Sequence, residues 1–424
     1  MEQPPQNDPE LEAFEKLKVR EVRAKYDHTA SDFLAKFQST AASLEPDEKV
    51  KLEVVYTHES MESLKAVLSD PQANKICSLQ WSYSGKKDVN SIIPLLINNC
   101  PELASLKVDF NHHSAFDFVS SMLEHPSNKV KVLDMSSYAK GDIPGFFAAL
   151  GRSQVSALTL NHSPKSVQGL HEYLAKDLLV RLKVTMHYKQ VPAEMMMSLV
   201  DCTRLAKLEL IECEFSEWTV FTLPKSITKL RLFDCTFVGR FDWSFLADSN
   251  MRELDFLHVR GVDGDQLGSA LAVQLKAKGL GELHFVNCDF VDETLIVVGV
   301  EVSRIERLIL EHSKVSDAAV AQIALILQSP HNEMKELKLE YSWEEMNIEN
   351  HLVLALRHPN CNLVELSFRA YEPKLKAAAE RMEDMFYKRL ALFVLLQGQQ
   401  MRRLYCPLQR LPVDLLRLVG EVLL

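Results

Sequence analysis

The sequence contains no apolar run of about 18 residues, the length a helix needs to cross a bilayer. Its opening stretch, Met1 to Glu12, is polar and acidic and lacks the basic-then-apolar pattern of a secretory leader. Glycine is scarce, with 14 in 424 residues, so few loops can cradle a phosphate with bare backbone. No G-x-x-x-x-G-K-[ST] loop, G-x-G-x-x-G fingerprint or G-x-S-x-G elbow occurs. Of the eight cysteines, Cys77, Cys100, Cys202, Cys213, Cys235, Cys288, Cys361 and Cys406, none forms a Cys-x-x-Cys pair. No His-x-x-x-His helix accompanies them, so the spacing of a zinc site is missing. They read as buried, reduced thiols of a protein in the cytoplasm or nucleus. His112 and His113 are adjacent and point to opposite faces of a strand. His258 and His284 fall on neighbouring strands without a partner that the spacing supplies. No basic excess exists either: 48 Lys and Arg stand against 58 Asp and Glu, a net charge of −10. Duplex nucleic acid is therefore a disfavoured partner. These absences argue against an enzyme, a cofactor, a metal site, a nucleic-acid partner or a membrane partner.

What is present is an ordinary globular mix, 47% hydrophobic and 25% charged. The chain is too long for one small core, so several domains or an extended array are expected. Self-similarity favours the array. A pattern of apolar, two residues, apolar, one residue, apolar begins at Ile76, Leu103, Val130, Val155, Leu179, Leu205, Ile227, Met251, Leu280, Ile305, Met334 and Leu363. Its clearest copies are Leu205-Leu208-Leu210-Cys213, Ile227-Leu230-Leu232-Cys235 and Leu280-Leu283-Phe285-Cys288. Alternating apolar residues predict a strand with one buried face. The apolar stretches that follow, such as Ile92–Ile97, Phe116–Leu123 and Ala318–Leu327, predict a helix per copy. One strand and one helix cannot bury their own apolar faces, so the copies must stack. Glu214 to Ser226 contains Pro224 and little helical period, which predicts an extended link.

These twelve copies resemble leucine-rich repeats, L-x-x-L-x-L-x-x-N/C, of the ribonuclease-inhibitor-like and cysteine-containing types. The ninth place holds Cys213, Cys235, Cys288, Asn111, Ser84, Ser163, Ser313 and Ser342, and departs from the pattern at Tyr138, His187, Val259 and Tyr371. The resemblance implies an α/β solenoid: a parallel concave sheet, convex helices, and a ninth-place side chain bonded to backbone inside the turn. The expected organisation is an N-terminal helical cap with a degenerate first repeat at 1–75, the solenoid at 76–372 and a C-terminal helical cap at 373–424. Leu11, Phe14, Leu17, Val22, Tyr26, Phe33, Phe37 and Leu44 recur at helical spacing and predict one or two helices before a strand at Val50–Tyr56.

Two surfaces are candidates for binding. Places two, four and six after the first apolar residue should face outward. They set Ile211, Phe233, Leu257 and Val286 in an apolar stripe, with Ile309 beside it and Arg231 and Asp255 among the charges of its rim, as in a protein-binding patch. Trp218 and Phe221 would extend it. At the C-terminus, Leu411, Pro412, Asp414, Leu415, Leu416, Val419 and Leu423 resemble the opening helix of an F-box. That resemblance implies docking of a Skp-type adaptor and a cullin, with Leu411, Pro412, Leu415, Leu416, Val419 and Leu423 in the adaptor groove. The expected function is a non-enzymatic scaffold with a protein partner on the concave face, with substrate receptor of a ubiquitin ligase as its more specific form. The alternatives are a regulator of a small GTPase, as the repeat length resembles activators of Ran, and a purely structural repeat protein whose tail caps the last repeat.

Overall fold

The structure, a computed structural model, describes residues 11–369, apart from 12, 15–16, 25–28, 56–59, 84–88, 111–114, 136–142, 162–168, 217–222, 314, 341–351, 353–354, 356–357, 359 and 362. It divides into two compact units, Met1–Met251 and Arg252–Leu424. In the first, nine strands follow one another across a parallel sheet in chain order: β1 (Val19–Ala24), β2 (Lys49–Val55), β3 (Ile76–Tyr83), β4 (Ser105–Phe110), β5 (Val132–Met135), β6 (Ala157–Asn161), β7 (Arg181–Gln190), β8 (Lys207–Ser216) and β9 (Lys229–Phe233). A short β10 (Thr236–Val238) extends the pairing with β8. In the second unit β11 (Glu253–Leu257), β12 (Leu280–Val286), β13 (Ile305–Glu311), β14 (Glu336–Glu340) and β15 (Glu365–Arg369) are parallel and in order as well. Strands that neighbour in sequence and pair in parallel require a crossover each time. The crossover helices are α1 (Ala30–Ala42), α2 (Ser60–Leu68), α3 (Ile93–Asn99), α4 (Ala115–Leu123), α5 (Ile143–Leu150), α6 (Leu170–Leu174) and α7 (Ala193–Leu199), then the single turn α8 (Phe245–Asp248). The second unit adds α9 (Gly264–Lys278), α10 (Val291–Val298) and α11 (Asp317–Gln328). Each unit is a run of strand–helix repeats, the α/β solenoid that the repeat pattern implies.

Every one of the twelve copies coincides with a strand, β3 to β9 and β11 to β15. Register explains the spacing: Leu208 faces Leu230 and Leu210 faces Leu232, while Leu283 faces Leu308 and Phe285 faces Leu310. Like residues therefore stack in columns, and those columns are fully buried. Side-chain caps fix where helices start. Asp263 accepts the Gln266 N–H at 3.0 Å ahead of α9, and Ser316 accepts the Ala319 N–H at 3.3 Å ahead of α11. After Cys213 the chain stays extended to Ser216, and the convex layer there is aromatic. Phe215 and Phe237 stack at 4.7 Å, and Phe241 and Trp243 pack against Phe237 at 4.6 and 5.1 Å.

Residues Val19–Ala24 differ from the helical expectation. Val22, counted there as part of a helix face, is buried on strand β1, which pairs with β2 in full register. Leu11 and Phe14 are helical as expected, and so is α1, with Phe33 and Phe37 buried and Thr29 and Asp32 forming a capping box. The reason is that the Val19–Ala24 segment, beside an open sheet edge, gains ladder hydrogen bonds that an isolated helix cannot offset.

Ser84, Asn111, Tyr138, Ser163, Ser342 and Tyr371 lie outside the described residues; the ninth-place Cys213, Cys235, Cys288 and Ser313 bond to backbone within the turns. The Cys213 thiol donates to the Ile211 carbonyl at 3.3 Å, Cys235 to Leu210 and Phe233 at 3.3 and 3.4 Å, and Cys288 to Val286 at 3.4 Å. Ser313 plays the same part, donating to Glu311 and accepting the Cys288 N–H. Burial pushes the Cys77 thiol up to about 11 and those of Cys100, Cys202 and Cys288 up to about 12. The sign of the consequence follows from linkage. The folded chain holds these protons above pH 9.0, the ordinary thiol value, while the unfolded chain releases them. Their contribution is intact below pH 9.0 and is lost between 9.0 and about 12. Chemical unfolding measured at stepped pH is expected to show stability falling across that window. At neutral pH these thiols are expected to resist alkylation until the chain is unfolded; rapid labelling of native Cys100 or Cys288 would contradict the burial.

Candidate functional site

The sheet face that carries the alternate, half-exposed residues is the candidate binding surface. Its side chains form rows across neighbouring strands. In the first unit the upper row runs Val132, Ala157, Arg181, Lys207, Lys229. The middle row runs Asp134, Thr159, Lys183, Glu209, Arg231, and the lower row ends Asn161, Thr185, Ile211, Phe233. Lys183 pairs with Glu209 at 3.7 Å, and the Thr185 hydroxyl donates to Asn161 at 2.6 Å. Ile211 and Phe233 are register partners and half-buried, as the periodicity predicts, and Arg231 beside them is half-buried too. At the far edge Glu53 lies with Glu21 and Arg23. Burial, then its hydrogen bond with Glu21, raises the Glu53 carboxyl, while that same bond lowers Glu21.

The second unit departs from the expected open stripe. Leu257, Val286 and Ile309 are 8%, 9% and 7% exposed, and Asp255 is only 3% exposed rather than part of an open rim. The cause is local. Leu257 and Val286 are register partners about 4.8 Å apart and cover one another. In the adjoining places, Lys338 pairs with Glu311 at 2.7 Å and His284 lies 4.0 Å from Glu311. The upper row here is Glu253, Glu282, Arg307, Glu336, Glu365, with Arg307 bonded to Glu282 and, at 2.7 Å, to Glu336. The hydrogen bond to Glu336 raises the Arg307 guanidinium above its ordinary value.

His258 and His284 do not converge: His258 bonds Asn287 at 2.9 Å. His284 instead meets Asp255 and Glu282, whose ligand atoms all lie within 4.8 Å of one another. Asp255 and His284 hold the same place in consecutive copies, so the repeat alignment makes them neighbours, with Glu282 two residues away on β12. One of the cluster's two carboxylates, Glu282, is held by Arg307, and the adjacent Glu311 is held by Lys338. The cluster reads as an ion-pair network on the sheet.

A further feature escaped the sequence pattern. The residue seven after the first apolar position has a left-handed backbone in five copies: Glu212, Asp234, His258, Asn287 and His312, with φ between 50° and 55°. The signal was present as Asp, Asn and His, residues that tolerate this conformation better than branched ones. His187, left-handed one place later in its own copy, bonds Glu212 at 2.9 Å. Trp218, Phe221 and the segment Leu411–Leu424, with its adaptor-docking residues, lie outside the described residues, as do His112 and His113. Among the described residues no helix is long and apolar enough to cross a membrane.

No protein-family profile matches the chain, and no curated protein does. Similar solved structures include the Toll–Spatzle complex, described as a molecular hub in Drosophila development and innate immunity. It is 10% identical, with 86% of this chain and 52% of that chain covered, at a TM-score of 0.39. The PEPR1–AtPEP1 complex is 14% identical, with 79% and 42% covered, at a TM-score of 0.34. This chain thus spans about half, or less, of the proteins it resembles in these structures.

Proposed function

We propose that this chain is a non-enzymatic interaction scaffold that holds a protein partner against the half-exposed face of its sheet. The carrying observation is the Ile211–Phe233 pair. It is half-exposed on adjacent strands and bordered by Glu209 and Arg231, with Lys207 and Lys229 one row beyond, an apolar pair beside charges. Ile211 and Phe233 are the residues to test. Leu257 and Val286 are too buried for a charge to act on binding alone.

The more specific form, a ligase substrate receptor acting in the cytoplasm or nucleus, rests on the Leu411–Leu424 sequence alone. Its apolar side chains would enter a Skp-type adaptor as a helix in a groove. One capture experiment from cell extract separates the two. Phe233→Glu with Ile211→Glu is expected to lose the partner held by the wild-type chain while circular dichroism stays unchanged; retention of every captured protein would sink the face reading. A chain ending at Tyr405 is expected to lose adaptor and cullin yet keep the partner. If the full chain captures no adaptor, the ligase reading fails and the scaffold reading stands.

A further inference from the structure

Leu11, far from the repeats in sequence, is 2% exposed in an apolar cluster with Ala157, Val180 and Ala206, and Val132 packs against the group. Val132 and Ala157 are register partners, and they alternate with the core residues Leu133 and Leu158. They therefore belong to the half-exposed face, and Leu11 is seated on that face. The same row continues through Arg181, Lys207 and Lys229. Val180 and Ala206 are the residues immediately before Arg181 and Lys207. The floor under Leu11 thus runs directly into three basic side chains on three consecutive strands. Lys183 and Arg231 add two more in the next row, with Glu209 between them. All five are half-exposed. In a chain of net charge −10 this is a local reversal of sign.

The segment that carries Leu11 has the complementary chemistry. Residues 1–15 contain Glu2, Asp8, Glu10, Glu12 and Glu15 and no basic side chain. Glu10 and Glu12 are each one residue, about 3.8 Å between Cα atoms, from the anchored Leu11. We propose that the surface formed by Val132, Ala157, Val180, Ala206 and the row Arg181–Lys207–Lys229 docks an acidic protein segment with one aliphatic anchor. The chain's own Leu11 is its resident anchor, displaced by a partner segment of the same chemistry. This deepens the scaffold reading by naming the partner's chemistry, and it rests on that reading only in using the same face. Nucleic acid fits less well. The anchor site is aliphatic and offers no ring on which a base could stack. The basic row spans only about 10 Å, two strand spacings.

The test is fluorescence anisotropy with a labelled synthetic peptide of residues 5–17 and the full chain. Leu11→Asp releases the resident segment. It is expected to bind the peptide about tenfold or more tightly than wild type, where the tethered segment competes at high effective concentration. Arg181→Glu and Lys207→Glu added to Leu11→Asp should remove that gain, and binding should weaken as salt rises from about 50 to about 300 mM. Glu10→Lys with Glu12→Lys frees the site by charge reversal while keeping Leu11, and serves if Leu11→Asp alters the fold. Folded variants that bind the peptide no better than wild type overturn the proposal. So does a single-stranded oligonucleotide of equal charge that binds more tightly than the peptide. Either result leaves partner capture through Phe233 untouched, so the two readings fall separately.

Discussion

Replacing Trp81 with alanine is expected to cost about 3–5 kcal/mol, the range for deleting a large buried aromatic side chain. Trp81 is fully buried on β3, in register between Val54 on β2 and Val108 on β4. Its ring meets Phe110 edge-on at 4.8 Å and Phe118 at 5.6 Å, so one truncation opens a cavity shared by sheet and helix. In a stacked array this damage also weakens the neighbouring interfaces. Trp81→Phe separates the causes. It keeps a ring against Phe110 and Phe118. It also removes an indole N–H that has no acceptor among the described residues, and such a group costs about 1–3 kcal/mol when buried. Urea unfolding should therefore show a midpoint loss for Trp81→Phe less than half that of Trp81→Ala, at unchanged slope. Equal losses would mean that the ring contacts contribute little.

The second large effect belongs to Gly268 on α9. A Cβ there would stand 2.8 Å from the Val297 Cβ and 2.9 Å from the Thr294 carbonyl oxygen. One turn earlier, a Cβ at Gly264 would meet the Phe290 carbonyl at 2.7 Å. The two glycines let α9 and α10 approach closely enough for the Thr294 hydroxyl to reach the Gly264 carbonyl at 3.2 Å. Helix propensity alone favours alanine over glycine by about 1 kcal/mol, and here the packing opposes it. Gly268→Ala is expected to be destabilising in spite of propensity, and Gly268→Leu to cost about 3 kcal/mol or more by forcing the helices apart. Hydrogen exchange is the discriminating measurement. Protection should fall across α9, α10, β12 and β13 while β1 to β9 keep theirs. A stabilised Gly268→Ala chain would refute the close-approach argument.

Much of the fold was legible because periodicity is a local property. The columns Leu208–Leu230 and Leu283–Leu308 follow from counting, and the helical stretches Phe116–Leu123 and Ala318–Leu327 match α4 and α11 to within a residue or two. Val22 misled because a residue spacing compatible with a helix face also fits a strand when an open edge is available beside it. The inward and outward assignment at Ile211 and Phe233 followed from the same alternation. It could not tell that Leu257 and Val286, in equivalent places, and Ile309, two residues earlier in its own copy, would be shielded, since shielding depends on which side chains stand in the adjoining rows.

The amino-acid sequence by itself determined the repeat: its start at each copy, its parallel order, its buried columns and the thiols in its turns. It could do so because each of these depends on residues within about 30 positions of one another. Tertiary structure alone decided what the open face presents. It brought Asp255, Glu282 and His284 together from two strands, set Gly268 against Val297, and laid Leu11 on Ala157 and Ala206 beside a basic row. Leu11 meets residues at no periodic separation, while Asp255–His284 and Gly268–Val297 are one repeat apart and their contact depends on which side chains stand in the neighbouring rows.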